Sequence, residues 1–370
     1  MIVAVIATTS IPTHPKPPLW QVLAAMSTTT APTTTAVSTV GGRRFRMQLW
    51  VPPFGVVDEM NEQPINPNTM TAAPVRITRS YRNRAPRRAP SRDCHLDHHL
   101  LILAPDRSMT TWISGVCETN GIRMHYLRTG GAKPPVVLLH GLTGSGASWT
   151  PLARALESEF DVIMPDARGH GGSSAPHHGY RYDDHASDVV GLIRGLELAS
   201  PVLLGHSMGG MTAAVVASRR GGLLRGLVLV DPTFLSPERQ REVCESDVAD
   251  QHRVALGLQK SDLVAQARAR HPRRSLEILE LQAEARLKTH LDAFDVLTPP
   301  NPDYRDVVSA IDVQSLLVIG DSPVVTLEMG TELRSLDPRI RIEQIQDAGH
   351  GLPFDQPARL AEVVGSFLRQ

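Results

Sequence analysis

The 370-residue chain has only three cysteines, Cys94, Cys117 and Cys244, and few aromatic residues (4%). Three scattered cysteines cannot build a disulfide framework, and such usage fits a reducing compartment. An uninterrupted apolar run of about 18 residues, as a membrane span needs, is missing as well. The opening MIVAVIA is apolar but lacks a basic segment, so it does not read as a secretory signal. GRRFR (Gly42 to Arg46) has the arginine pair of a twin-arginine signal without the apolar segment that should follow. These absences predict a cytoplasmic protein with no membrane span.

Net charge is zero, but residues 1–108 hold twelve Lys/Arg against six Asp/Glu, leaving the remainder acidic. This first part also contains the threonine-rich STTTAPTTTAVSTV and the Arg/Pro run RITRSYRNRAPRRAPSR. Such composition offers too little apolar surface to offset the entropy of ordering the backbone, so 1–108 reads as a disordered extension. Its basic run reads as a solvated tail, and no nucleic-acid partner is expected. CHLDHH (Cys94 to His99) has metal-ligand residue types but no paired second cluster, so no metal site is expected. Periodic sequence begins just after Met109, which suggests that residue as the natural start.

Residues 109–370 alternate between strand and helix signals. Two short runs flank Asn120-Gly121, the dipeptide of a tight hairpin. PVVLLHG, FDVIMPD, PVLLGHS, GLVLVDP and SLLVIGD follow as apolar runs of the kind buried parallel strands show, with helical spacing between them. The fold class expected is α/β, a mostly parallel doubly wound sheet. Residues 234–312 carry no strand signal and are too long for a plain crossover, so they read as a helical lid inserted over the sheet's carboxyl edge.

Ligands of doubly wound sheets bind beyond the carboxyl ends of the strands. Ser207 lies at such an end, in LLGHSMGGMT, between Gly205 and Gly209. Glycines at those two places let the chain turn sharply with the serine at the apex. A serine hydroxyl needs a base to become a nucleophile. His350, in DAGHGLPFDQP after the last strand signal, is the best placed of fifteen histidines. Asp321, directly after LLVIG, is the first carboxylate past the neighbouring strand and is expected to orient it. Backbone amides of Leu142 and Met208 are the candidate donors to an oxyanion. His140, Trp149 and His206 are the candidate substrate-binding residues, with His140 expected to organise the oxyanion loop by hydrogen bonding and Trp149 and His206 to form the pocket wall. RGHGGSS reads as a structural turn, since no Gly-Lys-Ser/Thr follows it.

LLHGLTGSGASW, MPDARGHGGSS, LLGHSMGG and DAGHGLPFDQP occur in the order and spacing of the α/β-hydrolase superfamily, which the chain from about Thr110 onward resembles. Within it, these forms are similar to the lid-bearing esterase, epoxide-hydrolase-like and cofactor-free haloperoxidase-like branches. Serine at 207 sets the chain apart from epoxide hydrolases, which use an aspartate there. The resemblance implies a serine hydrolase acting on a small carboxylic ester or related carbonyl compound, with no cofactor. A carbon–carbon hydrolase, a perhydrolase-type haloperoxidase or a non-enzymatic ligand receptor would carry the same motifs. One departure from the family pattern stands out. Many relatives place the acid three residues after the glycine that ends its strand, and here Pro323 occupies that position. Asp231, after LVLV, is therefore the alternative acid, and Asp347 a third. Oligomeric state follows from none of these motifs.

Overall fold

The computed structural model describes residues 112–370 and, as backbone alone, the strands β1 (Thr34–Val40) and β2 (Arg43–Leu49). These two pair antiparallel, with Val40 opposite Arg43. They fall in the stretch whose composition suggested disorder, and the β-branched threonines and valines of β1 suit an extended backbone. CHLDHH, the Arg/Pro run and Met109 lie outside the described residues.

Eight further strands form one sheet. They are β3 (Ile113–Thr119), β4 (Ile122–Arg128), β5 (Pro135–Leu139), β6 (Asp161–Pro165), β7 (Val202–His206), β8 (Gly226–Val230), β9 (Ser315–Ile319) and β10 (Ile340–Gln344). Their order is β10-β9-β8-β7-β5-β6-β4-β3. Pairs from β10 through to β6 are parallel, while β4 is antiparallel to both β6 and β3. Asn120 and Gly121 both take positive φ (46° and 78°) in the β3–β4 turn, as the Asn-Gly signal predicted.

Why the central strands read as unbroken apolar runs is plain from their packing. Leu203 of β7 and Leu227 and Leu229 of β8 face one core, while Val202, Leu204, Val228 and Val230 face the other. Both faces are covered, so neither set of alternate positions can be polar. One cover contains α2 (Tyr182–Gly195), α3 (Met208–Arg220) and α9 (Leu327–Leu336). The other contains α1 (Thr150–Leu156) and the closing α11 (Pro357–Leu368).

Between β8 and β9 the chain makes α4 (Pro237–Cys244), α5 (Val248–Ala255), α6 (Lys260–Arg270) and α7 (Leu276–Leu287), then a short 3-10 helix over Leu291–Leu297. Ser236 and Ser275 start α4 and α7 by accepting the amides of Arg239 and Ile278. The next helix, α8 (Tyr304–Ser309), buries Tyr304, Val307 and Val308 in the α3-side core. A short α10 (Leu352–Asp355) follows the loop after β10. Among the described residues, no helix is long and apolar enough to cross a membrane.

Candidate active site

Ser207 sits where β7 gives way to α3, with φ 55° and ψ −120°, a backbone state costly to any L residue. The turn is tight because its flanking glycines permit it. A Cβ added at Gly205 would fall 2.1 Å from the Gly209 carbonyl oxygen, and one at Gly209 would fall 2.3 Å from that of Leu139. A serine at a helix start ordinarily caps it by accepting an amide. Ser207 makes no such cap bond. Its Oγ lies 2.9 Å from Nε2 of His350 instead.

The other nitrogen of that ring, Nδ1, lies 2.6 Å from Oδ2 of Asp231, not from Asp321. The expectation for Asp321 is corrected here. Asp231 follows β8 directly with φ 39°, is fully buried, and accepts the amides of Val324 and Val325 at 2.9 Å. Asp321 is exposed, and its Oδ2 accepts the amide of Asp347 at 2.6 Å, tying two loops together. Asp347 carries its side chain outward to Arg273, at 3.5 Å. With a carboxylate at Nδ1, that nitrogen carries the proton, which leaves Nε2 as the acceptor for the Ser207 hydroxyl.

Met208 is the first residue of α3, so its amide has no partner within the helix. Among the described residues neither it nor the amide of Leu142 donates to another protein group. The loop after β5 lies close by, since a Cβ at Gly141 would come within 3.1 Å of the Ser207 Cβ. That loop turns through Thr143 at φ 64°. His140 braces it. Its Nδ1 donates to the Gly141 carbonyl (2.8 Å) and its Nε2 accepts the Ala167 amide (3.0 Å), so both nitrogens are occupied. His206 donates from Nε2 to the His350 carbonyl at 2.7 Å, fixing the main chain of the neighbouring imidazole. Thr143, Ser207, Asp231 and Asp347 are four of the seven non-glycine residues with positive φ among those described. Strain of this kind concentrates where function demands a fixed geometry.

Residues 134–357 match the family model described as the alpha/beta hydrolase fold. The chain belongs to that family. It is 32% identical over 273 residues to an N-formylmaleamate deformylase of Pseudomonas putida, covering 70% of this chain and 98% of that protein. An sn-1-specific diacylglycerol lipase of Mus musculus is 30% identical over 255 residues, covering 64% and 81%. Among solved structures, the enol-lactonase of Burkholderia xenovorans superposes with a TM-score of 0.57 at 25% identity, covering 69% of this chain and all of that one. These relatives are hydrolases, and so is this protein.

In this hydrolase Ser207 opens onto a cavity of about 200 Å³. His140, Trp149, His206 and His350 line it from the sheet side, and residues of α5, α6 and α7 line it from the helical insertion. Nothing in the motifs announced those insertion residues, whose positions depend on how helices without a signature pack. No group of three or more His, Cys, Asp or Glu side chains able to hold a metal forms among the described residues.

Several histidines of the hydrolase are buried and neutral. Burial, with His350 adding to it, holds His206 down at about 3, and burial with His140 adding to it does the same for His170. Burial pushes His140 and His185 down too. An unfolded chain would protonate each of them below about 6.5. Between about 6.5 and about 3 the unfolded state therefore binds more protons, and stability falls as pH falls through that window. His206 and His170 should each remove about 1.4 kcal/mol per pH unit there. Urea unfolding at about pH 7.5, 6.5 and 5.5 measures this, and a midpoint unchanged down to 5.5 contradicts it.

Proposed function

We propose that the protein is a serine hydrolase working by acyl transfer on a carboxylic ester or related small carbonyl compound. The observation that carries this reading is the Ser207 hydroxyl, which forgoes its capping bond for the Nε2 of a histidine already oriented by a buried carboxylate. His350 takes the hydroxyl proton as Oγ bonds to the substrate's carbonyl carbon. The amides of Leu142 and Met208 hold the oxyanion that forms. When the tetrahedral species collapses, the bond to the leaving group breaks and that group takes the proton from His350. Water, deprotonated by His350, then attacks the acyl-enzyme. The acid leaves, and Ser207 regains its proton. Asp231 keeps the imidazole in the required tautomer and stabilises its charged form. The insertion of α4 to α7 acts as a lid over this centre.

Support also comes from the relatives, whose names are those of a deformylase, a diacylglycerol lipase and an enol-lactonase. A fluorophosphonate probe tests the reading directly, because it reacts with an activated serine and with little else. A single adduct by intact mass, mapped to the peptide bearing Ser207, is the expected result. No adduct, or one mapped to another residue, overturns it.

A further inference from the structure

The cavity above Ser207 is lopsided in charge. Among the described residues no aspartate or glutamate lines it, yet three arginines do, all from the helical insertion. Arg270 is the last residue of α6, Arg274 follows in the turn, and Arg286 lies in the last turn of α7.

Their situations differ. Arg274 is buried and already satisfied, with Nε donating to Asp355 at 2.8 Å and Nη1 to Gln282 at 3.2 Å. Arg270 has no ion-pair or hydrogen-bond partner among the described residues. Arg286 has a buried Nε with no partner, and its Nη2 reaches only the Gln251 carbonyl, at 3.5 Å. Burial pushes the Arg286 guanidinium down, and the charge of Arg270 adds to the effect, so the two cations feel each other.

A cation suits a helix C-terminus, which accounts for arginine at these places along the chain. It does not account for two of them sharing one partly closed space without a carboxylate. Leaving an N–H unpaired beside a like charge costs free energy, more so away from water. Carboxylates are plentiful on this same insertion. Arg239 pairs with Glu242, Arg253 with Asp250, and Lys260 and Lys288 with Glu284. Of the three arginines that line the cavity, only Arg274 has a carboxylate partner among the described residues.

We infer that the cavity takes a substrate bearing a carboxylate, gripped by Arg270 and Arg286 while Ser207 attacks a carbonyl of the same molecule. A planar guanidinium matches a carboxylate with two parallel hydrogen bonds, and two guanidiniums can share its two oxygens. The inference rests on the serine-hydrolase reading for the attack, but the anion site stands without it.

Three esters distinguish where the carboxylate belongs. They are mono-p-nitrophenyl glutarate (acyl side), 4-carboxyphenyl pentanoate (leaving side) and the neutral p-nitrophenyl pentanoate. At least one anionic ester should show a kcat/KM about tenfold to hundredfold above the neutral one, the scale of a charged hydrogen-bond pair. In Arg270→Gln and Arg286→Gln that ratio should fall toward one, chiefly through KM, and Arg286→Lys should restore part of it. Calorimetric binding of glutarate to wild type, weakened at least about tenfold in the double Gln variant, reads the site without turnover. Arg270 is exposed, so its single variant is expected to fold even if the double variant does not. Glutarate binding that depends on the arginines, with no labelling of Ser207, keeps the anion site and removes the serine acyl-transfer reading. Normal labelling with no preference for either anionic ester and no glutarate binding overturns the inference and leaves that reading intact.

Discussion

Ser207→Ala will lower kcat on any ester the protein turns over by about 10⁶, with KM much less affected. The effect is that large because the Ser207 hydroxyl is the group held at Nε2 of His350. Initial rates with the preferred ester measure it. Folding is not at stake, since what the variant loses is one hydrogen bond of 2.9 Å to Nε2, worth about 1 kcal/mol. The strained backbone at φ 55° is set by the turn and stays. Thermal unfolding close to wild type, together with the lost rate, separates a chemical defect from a structural one. A variant that keeps a tenth of the activity would remove Ser207 from the reaction.

The second large effect concerns the acid. Asp231→Asn will lower kcat by about 10⁴, because an amide at Nδ1 lets the imidazole settle in the wrong tautomer. Stability should fall as well. Both carboxylate oxygens of Asp231 face N–H donors from His350, Val324 and Val325, and an Asn NH₂ cannot accept from any of them. Such a mismatch in a buried place costs about 1–3 kcal/mol. Asp321→Asn should keep kcat near wild type, since the amide oxygen can accept the Asp347 amide as the carboxylate does. Parallel kinetics of the two variants decide the matter, and equal losses in both would mean that Asp231 is not the acid.

The meeting of Ser207 and His350 was legible because each sits in a motif whose local geometry positions it. Two glycines make the turn at Ser207, and the sheet order puts the loop after β10 in reach of it. The centre of the sheet was legible because β5 and β8, covered on both sides, carry no polar side chain. The acid was harder to read, for Asp231 and Asp321 both follow a strand end and the rule of the first carboxylate past a strand fits either. What separates them is burial and the direction of the chain after the strand, which are products of packing. Pro323, standing where many relatives carry the acid, was the one local sign that another carboxylate would meet His350. Arg270 and Arg286 had no sign at all. They come from helices joined by turns of no recognisable type, and only the folded insertion aims them at one space.

Arg274 joins the insertion to Asp355, and Asp355 in turn accepts the amide of Gly349, the residue before His350. Moving α6 and α7 outward must either break that ion pair or drag the imidazole's loop along. Breaking it costs about 2 kcal/mol. Dragging the loop instead shifts His350 from the Ser207 hydroxyl. Either way, a displacement of the insertion is felt at the loop that carries His350.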